Sequence, residues 1–343
     1  MNGRANTHGN CQRDGALSAM SNALVYYPDS KPGIARFRHG RGFRYIAPDG
    51  TSIDDRSERA RIKALAVPPA YEDVWICPKT NGHLQATGRD ARARKQYRYH
   101  PDWRAAQESR KYDDLVAFGS ALPQIRRRVR ADLAGDIGDQ DLAIAAVIAL
   151  IDKLSLRVGN SSYAKDNATY GATTLQGRHV RLQDDHLRLS YRGKGGKKIT
   201  RELRESRLMS VLGRLHDLPG AALVTWVDDD DVVHEVTSGQ VNARLSEIVG
   251  REGITAKTFR TWAGSEAAFK VAADAENPTI KALSEAAADR LGNTPTIARN
   301  SYIHPDVIAL TELDVKDREK LLKNLPDTRE LRIAERGLLR LLS

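Results

Sequence analysis

Hydrophobic positions change rhythm along this chain, and the changes divide it. Residues 1 to about 33 are rich in Asn, Ser and Gly and hold no sustained period. They predict a poorly ordered arm with one short helix near Ala16–Leu24. From 34 to 103 the apolar residues fall in short runs, Gly42–Ile46, Val74–Cys77, His83–Thr87 and Gln96–Tyr99, separated by Pro-Asp-Gly, Asn-Gly and Gly-Arg-Asp. Runs of this length between turn formers predict strands of a small, mostly antiparallel domain. One helix, Asp55–Ala66, stops before Pro68–Pro69, since a proline disfavours helix at the residue before it. After Trp103 the apolar spacing becomes helical. Helices are predicted over Ala106–Ala117, Leu122–Ala134, Gln140–Arg157, Arg204–His216, Ser238–Val249, Lys257–Ala273 and Pro278–Leu291. A strand group at Val180–Arg201 interrupts them, and a second β-like pair flanks Asp228–Asp231. The pattern is that of an α+β protein: an arm (1–33), a β-rich domain (34–103) and a mainly helical domain (104–343) carrying a small sheet.

Charge sharpens this division. The 343 residues hold 54 Lys+Arg against 44 Asp+Glu, a formal net charge of +10. Residues 34–112 alone hold 17 Lys/Arg against 9 Asp/Glu, so most of the excess lies in the β-rich part. Such a patch points to a polyanionic partner. The longest apolar run, Leu142 to Ile151, is ten residues and too short to span a bilayer. No continuous apolar stretch of secretory type opens the chain, so the expectation is a cytoplasmic protein without a membrane partner. Two cysteines, Cys11 and Cys77, exclude a disulfide framework and a four-cysteine zinc site, and the nine histidines form no HxxxH pair. Neither a metal nor a cofactor is expected.

Several segments could carry chemistry, and each has a plainer reading. Gly193-Lys-Gly-Gly-Lys-Lys198 lacks the spacing of a phosphate-binding loop and opens no clear helix. It reads as a basic hairpin tip, solvated or reaching into a groove. Asp228–Asp231 is a hairpin turn rather than a cation loop, whose ligands would alternate. In Gly88–Tyr99 the cations Arg94 and Lys95 interleave with Gln96, Tyr97 and Tyr99. Cations neutralise phosphates, while Gln and Tyr can reach base edges and sugars; a charged edge strand would look the same. Arg157 ends an apolar helix and Arg260 lies beside Trp262, so each is either a half-buried anion ligand or half of an ion pair with a distant carboxylate. Tyr302 taken alone reads as a packed core tyrosine.

Read in order, PGIARFRHGRGFRYIAPDG, NGHLQATGRDARARKQYRYHPDWR, KLSLRVGN, YRGKGGKK, TAKTFRTWAG and LGNTPTIARNSYIHP resemble the type IB DNA topoisomerases of the small poxvirus-like and bacterial kind, from about Pro32 to about Leu310. The resemblance implies a catalytic domain of the tyrosine recombinase/topoisomerase IB type. It puts Tyr302 on the nucleophile, Arg157 and Arg260 on the two catalytic arginines, and Lys194 on the general-acid lysine of a β-hairpin. Gln96, Tyr97, Tyr99 and Tyr163 fall on DNA-contacting positions, to which the neighbouring Arg94 and Lys95 are added. Asn293 stands where poxvirus and nuclear relatives carry histidine; its amide can donate a hydrogen bond but carries no charge. The implied activity is relaxation of supercoiled duplex DNA through a 3′-phosphotyrosyl link, without ATP or an obligatory metal. A monomeric clamp on duplex DNA, in the nucleoid of a bacterial cytoplasm, is implied with it. Two rivals remain: a tyrosine site-specific recombinase and a catalytically silent DNA-binding protein. The β-rich 34–103 region and the spacing Lys257-x-x-Arg260, where recombinases usually have HxxR, favour the topoisomerase.

Overall fold

The computed structural model describes residues 24–216 and 221–343. The chain divides into two compact units at Lys111/Tyr112.

The first unit is built on a five-stranded antiparallel sheet of β1 (Ile34–His39), β2 (Gly42–Ile46), β3 (Glu72–Ile76), β4 (Leu84–Arg89) and β5 (Lys95–Tyr99), in the order β2-β1-β3-β4-β5. Helix α1 (Arg56–Ala64) begins at Asp55, whose carboxylate accepts from Glu58 N at 2.8 Å, and it buries Ile62 against Ile34, Val74, Ile76 and Ala86. Strand β1 has no apolar alternation to announce it, because only Ile34 is buried along it; pairing on both sides makes it a strand.

The boundary of the expected arm needs correction. Residues 1–23, with nearly all of the short helix expected at Ala16–Leu24, lie outside the described residues. Residues 24–33, however, are fastened to the sheet. Leu24 is buried, Val25 bridges Gly82, Tyr27 N donates to His83 Nδ1 at 2.9 Å, and Trp75 Nε1 donates to Lys31 O at 3.0 Å. The indole of Trp75 lies so close to Gly33 that a Cβ there would overlap it. The arm's polar composition hid these backbone and aromatic partners.

The second unit is mainly helical. Helix α2 (Pro101–Asp132), which begins in the first unit and ends in the second, is continuous where the sequence predicts two helices. Gly119 looks like a breaker but is a packing notch: a Cβ there would stand 2.4 Å from Trp262 Cη2. Pro123 removes a single backbone bond and the helix runs through it. Helix α3 (Gln140–Leu154) is buried along almost its whole length, from Leu142 to Ile151. Each fully buried Leu or Ile there is worth roughly 1.5–3 kcal/mol over exposure. There follow α4 (Ser161–Asn167), an antiparallel sheet of β6 (Val180–Leu182), β7 (Leu187–Arg192) and β8 (Lys198–Leu203), α5 (Ser206–His216), the pair β9 (Thr225–Val227) and β10 (Val233–Glu235), and α6 (Ser238–Val249). Helices α7 (Ala256–Asp274), α8 (Ile280–Leu291), α9 (Pro295–Tyr302), α10 (Pro305–Ala309), α11 (Val315–Lys320) and α12 (Ile333–Leu342) complete it.

Helix α7 is the spine of this unit, burying Phe259, Trp262 and Phe269 in a core shared with α2 and α3. Helix α12 is locked to that core by Glu335, fully buried, which accepts from Arg126 at 2.8 Å and from Trp262 Nε1 at 3.3 Å. Among the described residues no helix is long and apolar enough to cross a membrane.

Candidate active site and nucleic-acid face

Four of the five expected catalytic residues come together at the ends of α3, α7, α8 and α9. Helix α3 closes at Ser155 in a left-handed conformation (φ 53°), which turns its carbonyl onto Arg260 Nη1. Arg157 follows, on a stretch of backbone held by Ala172 N donating to Arg157 O at 2.8 Å. A side chain at Gly171 would strike both Arg157 O and Gly159, so glycine is required where these strands of chain meet. Arg260 is 3% exposed on α7, and its Nη2 donates to Leu291 O at 3.1 Å.

Helix α8 ends at Gly292 (φ 66°), the left-handed cap that turns the chain into Asn293. The hydroxyl of Thr294 and the ring of Pro295 then open α9. Asn293 is 9% exposed, and its Oδ1 accepts from Arg157 Nη2 at 2.7 Å and from Arg260 Nη2 at 3.4 Å. These two donors fix the amide, because only its oxygen can accept. They leave Asn293 Nδ2 as a buried donor without a hydrogen-bond partner among the described residues, as is Arg260 Nε. Such donors are costly unless an acceptor arrives.

Tyr302 ends α9 with its ring centroid 5.3 Å from Arg260 Cζ. Its backbone is held by Ser265 Oγ, which donates to Tyr302 O at 3.1 Å and accepts from His304 N at 3.0 Å. Gly264 permits the approach, since a Cβ there would stand 2.8 Å from Tyr302 O. Burial pushes the phenol up, but the charge and hydrogen bond of Arg260, with the charges of Arg157 and Lys257, bring it below its ordinary value. Burial and the neighbouring Arg157 push Arg260 down to about 10, so it remains charged at neutral pH. Lys257 was legible only as a spacing. Three residues before Arg260 on α7, it adds a third cation to the field at Tyr302.

Lys194 is not in this cluster. It is exposed at the tip of the β7–β8 hairpin and makes no hydrogen bond or ion pair among the described residues. The hairpin lysine that touches the cluster is Lys197, whose Nζ donates to Asn293 O at 3.2 Å.

In the first unit the expected nucleic-acid residues lie on edge strand β5, with Arg94 just before it. Tyr97 and Tyr99 are 48% and 40% exposed and stack nearly parallel at 6.1 Å. Gln96 falls on the opposite face, as alternate strand positions must, and its Nε2 donates to Asp90 Oδ2 at 3.0 Å. Arg94 also pairs with Asp90, at 2.7 Å, and Lys95 with Asp29, at 2.5 Å. An edge strand can present both faces to a groove, and a β-ribbon fits the major groove of duplex DNA. Tyr163 lies on α4, and its side chain is outside the described residues.

Within the helical unit a tyrosine and two arginines share one cluster with an amide, and comparison with known proteins bears on the family of the chain. The family model for the bacterial DNA topoisomerase IB N-terminal domain matches residues 42–90, and that for the eukaryotic DNA topoisomerase I catalytic core matches residues 100–318. The chain belongs to the type IB DNA topoisomerase family. It is 28% identical over 234 residues to the DNA topoisomerase 1B of Acanthamoeba polyphaga mimivirus, covering 67% of this chain and 69% of that protein. It is 24% identical over 268 residues to the DNA topoisomerase 1B of Vaccinia virus, covering 73% and 78%. A solved structure of the XerH site-specific recombinase, bound to palindromic difH substrate, overlaps 53% of this chain and 47% of that one at 15% identity and a TM-score of 0.37. That likeness is too slight to carry any argument.

Proposed function

We propose that this chain relaxes supercoiled duplex DNA by cutting one strand, letting it rotate and rejoining it, as a monomer and with no need of ATP or a metal ion. The observation that carries the reading is the meeting of Arg157, Arg260 and Asn293 near Tyr302, with no carboxylate among the partners of either guanidinium in the described residues. All these residues belong to one chain, which supports the monomeric reading.

In the cleavage step Tyr302 Oη bonds to phosphorus and the P–O5′ bond breaks. The phenol's proton passes to water, and O5′ takes a proton from the Lys194 ammonium. Charge grows on the non-bridging oxygens, where Arg157, Arg260 and the unpartnered Asn293 Nδ2 would receive it. Permanently charged, forked guanidiniums suit this role better than ammonium groups. The 3′-phosphotyrosyl bond keeps the phosphodiester energy, so religation is the same step in reverse. Tyr97 and Tyr99, with the cations of the first unit, supply affinity for duplex DNA.

The test is plasmid relaxation in EDTA without ATP. The native protein should relax plasmid, while Tyr302→Phe should bind DNA yet form no covalent adduct, because only the attacking oxygen is lost. A DNA-linked Tyr302→Phe protein recovered after denaturation would mean that another group is the nucleophile.

A further inference from the structure

Lys197, Ile199 and Arg201 fall at alternate positions along the second arm of the β7–β8 hairpin, and all three meet the end of α8. Lys197 Nζ donates to Asn293 O at 3.2 Å. Ile199 packs on Gly292 so closely that a Cβ there would stand 2.9 Å from Ile199 Cδ1. Arg201 Nη2 donates to Asp289 O at 3.2 Å and to Arg290 O at 3.1 Å. The final carbonyls of a helix lack intrahelical partners and carry the negative end of its dipole, so Arg201 is well matched to them, while Lys197 holds the turn just beyond.

The remainder of the hairpin is tied to this face through its backbone. Gly193 N donates to Lys197 O at 2.8 Å, and Gly196 N donates to Gly193 O at 3.0 Å. Gly195 and Gly196 both adopt φ of 78°, closing a tight turn around Lys194. Lys197 is therefore bonded by its backbone to the residue preceding Lys194, and by its side chain to the residue whose amide holds both arginines. Its ammonium is occupied by a carbonyl, whereas that of Lys194 has no such partner among the described residues.

We propose that Lys197 is a positioning residue for the cleavage reaction. It fastens the hairpin to the α8–α9 turn so that the Lys194 ammonium is carried at a fixed offset from Asn293 and the phosphate it would hold. This rests on the assignment of Lys194 as the acid.

The experiment is single-turnover cleavage by the full chain and by Lys197→Ala, Lys197→Arg, Lys194→Ala and the Lys194→Ala/Lys197→Ala double variant. Each acts on an ordinary DNA substrate and on one with sulfur at the bridging 5′ position, where the leaving thiolate needs little protonation. Lys197→Ala should slow ordinary cleavage about 10- to 100-fold, the scale of a misplaced catalytic group. Lys197→Arg, which can donate to the same carbonyl, should keep most of the rate. Sulfur should restore Lys197→Ala, and the double variant should be no slower than Lys194→Ala alone, because a positioning residue has nothing left to position.

Lys197→Ala at the native rate, a defect that sulfur leaves intact, or a double variant whose losses multiply would each overturn the proposal. If sulfur rescues Lys197→Ala but not Lys194→Ala, Lys197 is itself the acid and the positioning role is wrong. If it rescues neither, both assignments fall. If it rescues Lys194→Ala alone, the acid stands and the latch fails.

Discussion

Two arginines of the helical unit, the largely buried Arg126 and the buried Arg260, are treated in opposite ways. Arg126 is caged by carboxylates, with Asp152 at 2.9 Å and Glu335 at 2.8 Å. Burial works against its charge, yet these acids raise its pKa above the ordinary arginine value. Arg244 is handled likewise by Asp132, Asp141 and Glu247. Arg260 meets no carboxylate among the described residues: it donates to the carbonyls of Ser155 and Leu291 and the amide oxygen of Asn293, and it lies against the Tyr302 phenol with a second cation, Arg157, beside it. A caged cation is neutralised within the fold, and its removal strands a buried acid; an uncaged one is kept in want of an anion. Lack of an acid is not sufficient by itself. Among the described residues Arg318 also bonds only to carbonyls, of Leu313, Ala275 and Glu276, and ties the segment after α7 to α11. What sets Arg260 apart is the pair of acid-free guanidiniums next to a phenol.

The contrast is broken most directly at Glu335. Glu335→Ala leaves Arg126 partly unpaired in the core and should cost about 3–5 kcal/mol, read from urea midpoints. Cleavage per folded molecule should change little. Acid reports on the same cage: burial pushes the Glu335 carboxyl up, but Arg126 and Arg332 outweigh it and hold it at about 2 against an ordinary 4.5. A depressed carboxyl contributes stability that is complete above its unfolded pKa and is lost as pH falls from about 4.5 towards 2. Glu335→Gln should therefore lose less stability than the native protein between pH 5 and pH 3. Equal losses would show that the carboxylate is not what holds Arg126.

Arg260→Ala should do the reverse. With a charge removed from the phosphate site, cleavage should slow by about 10²–10³, or about 3–4 kcal/mol of transition-state stabilisation. Stability should stay near the native value, because the variant discards a poorly solvated charge. A melting loss as large as that of Glu335→Ala would erase the distinction between caged and uncaged arginines.

The sequence carried this distinction unevenly. The residues of the cluster were legible only through the resemblance of the ordered motifs to type IB topoisomerases; alone, Tyr302 reads as a core tyrosine and Arg157 and Arg260 as anion ligands or halves of ion pairs. Their mutual distances were not, since they depend on how α3, α7 and α8 end against one another. Nothing in the run around Arg126 says that it meets an acid 209 residues later, and so α12 had no assignable role. Lys197 looked like one more cation on a basic tip; only the docking of the strand on α8 separates it from Lys194 and Lys198. The two predicted helices at Gly119 and Pro123 were merged by a long-range partner, Trp262, invisible to a local pattern.

The smallest effect belongs to a third kind of cation, exposed yet paired. Lys95 meets Asp29 at 2.5 Å with side chains 43% and 20% exposed. Burial pushes the Asp29 carboxyl up, but hydrogen bonds from Lys95 and Thr87 outweigh it and leave it below its ordinary value. Exposed pairs of this sort contribute only about 0–1 kcal/mol to folding, so Asp29→Asn should melt close to the native protein. Its consequence should appear on DNA instead. A lysine held by an acid must surrender that partner before it neutralises a phosphate. Freed by Asp29→Asn, Lys95 should make duplex binding several-fold tighter at low salt. One additional phosphate contact should steepen the fall of log affinity with log salt by about 0.9. Titrations of the native chain and Asp29→Asn at three or four salt concentrations measure this directly. An unchanged slope would place Lys95 away from the phosphates and leave Tyr97 and Tyr99 as the part of β5 that meets the duplex.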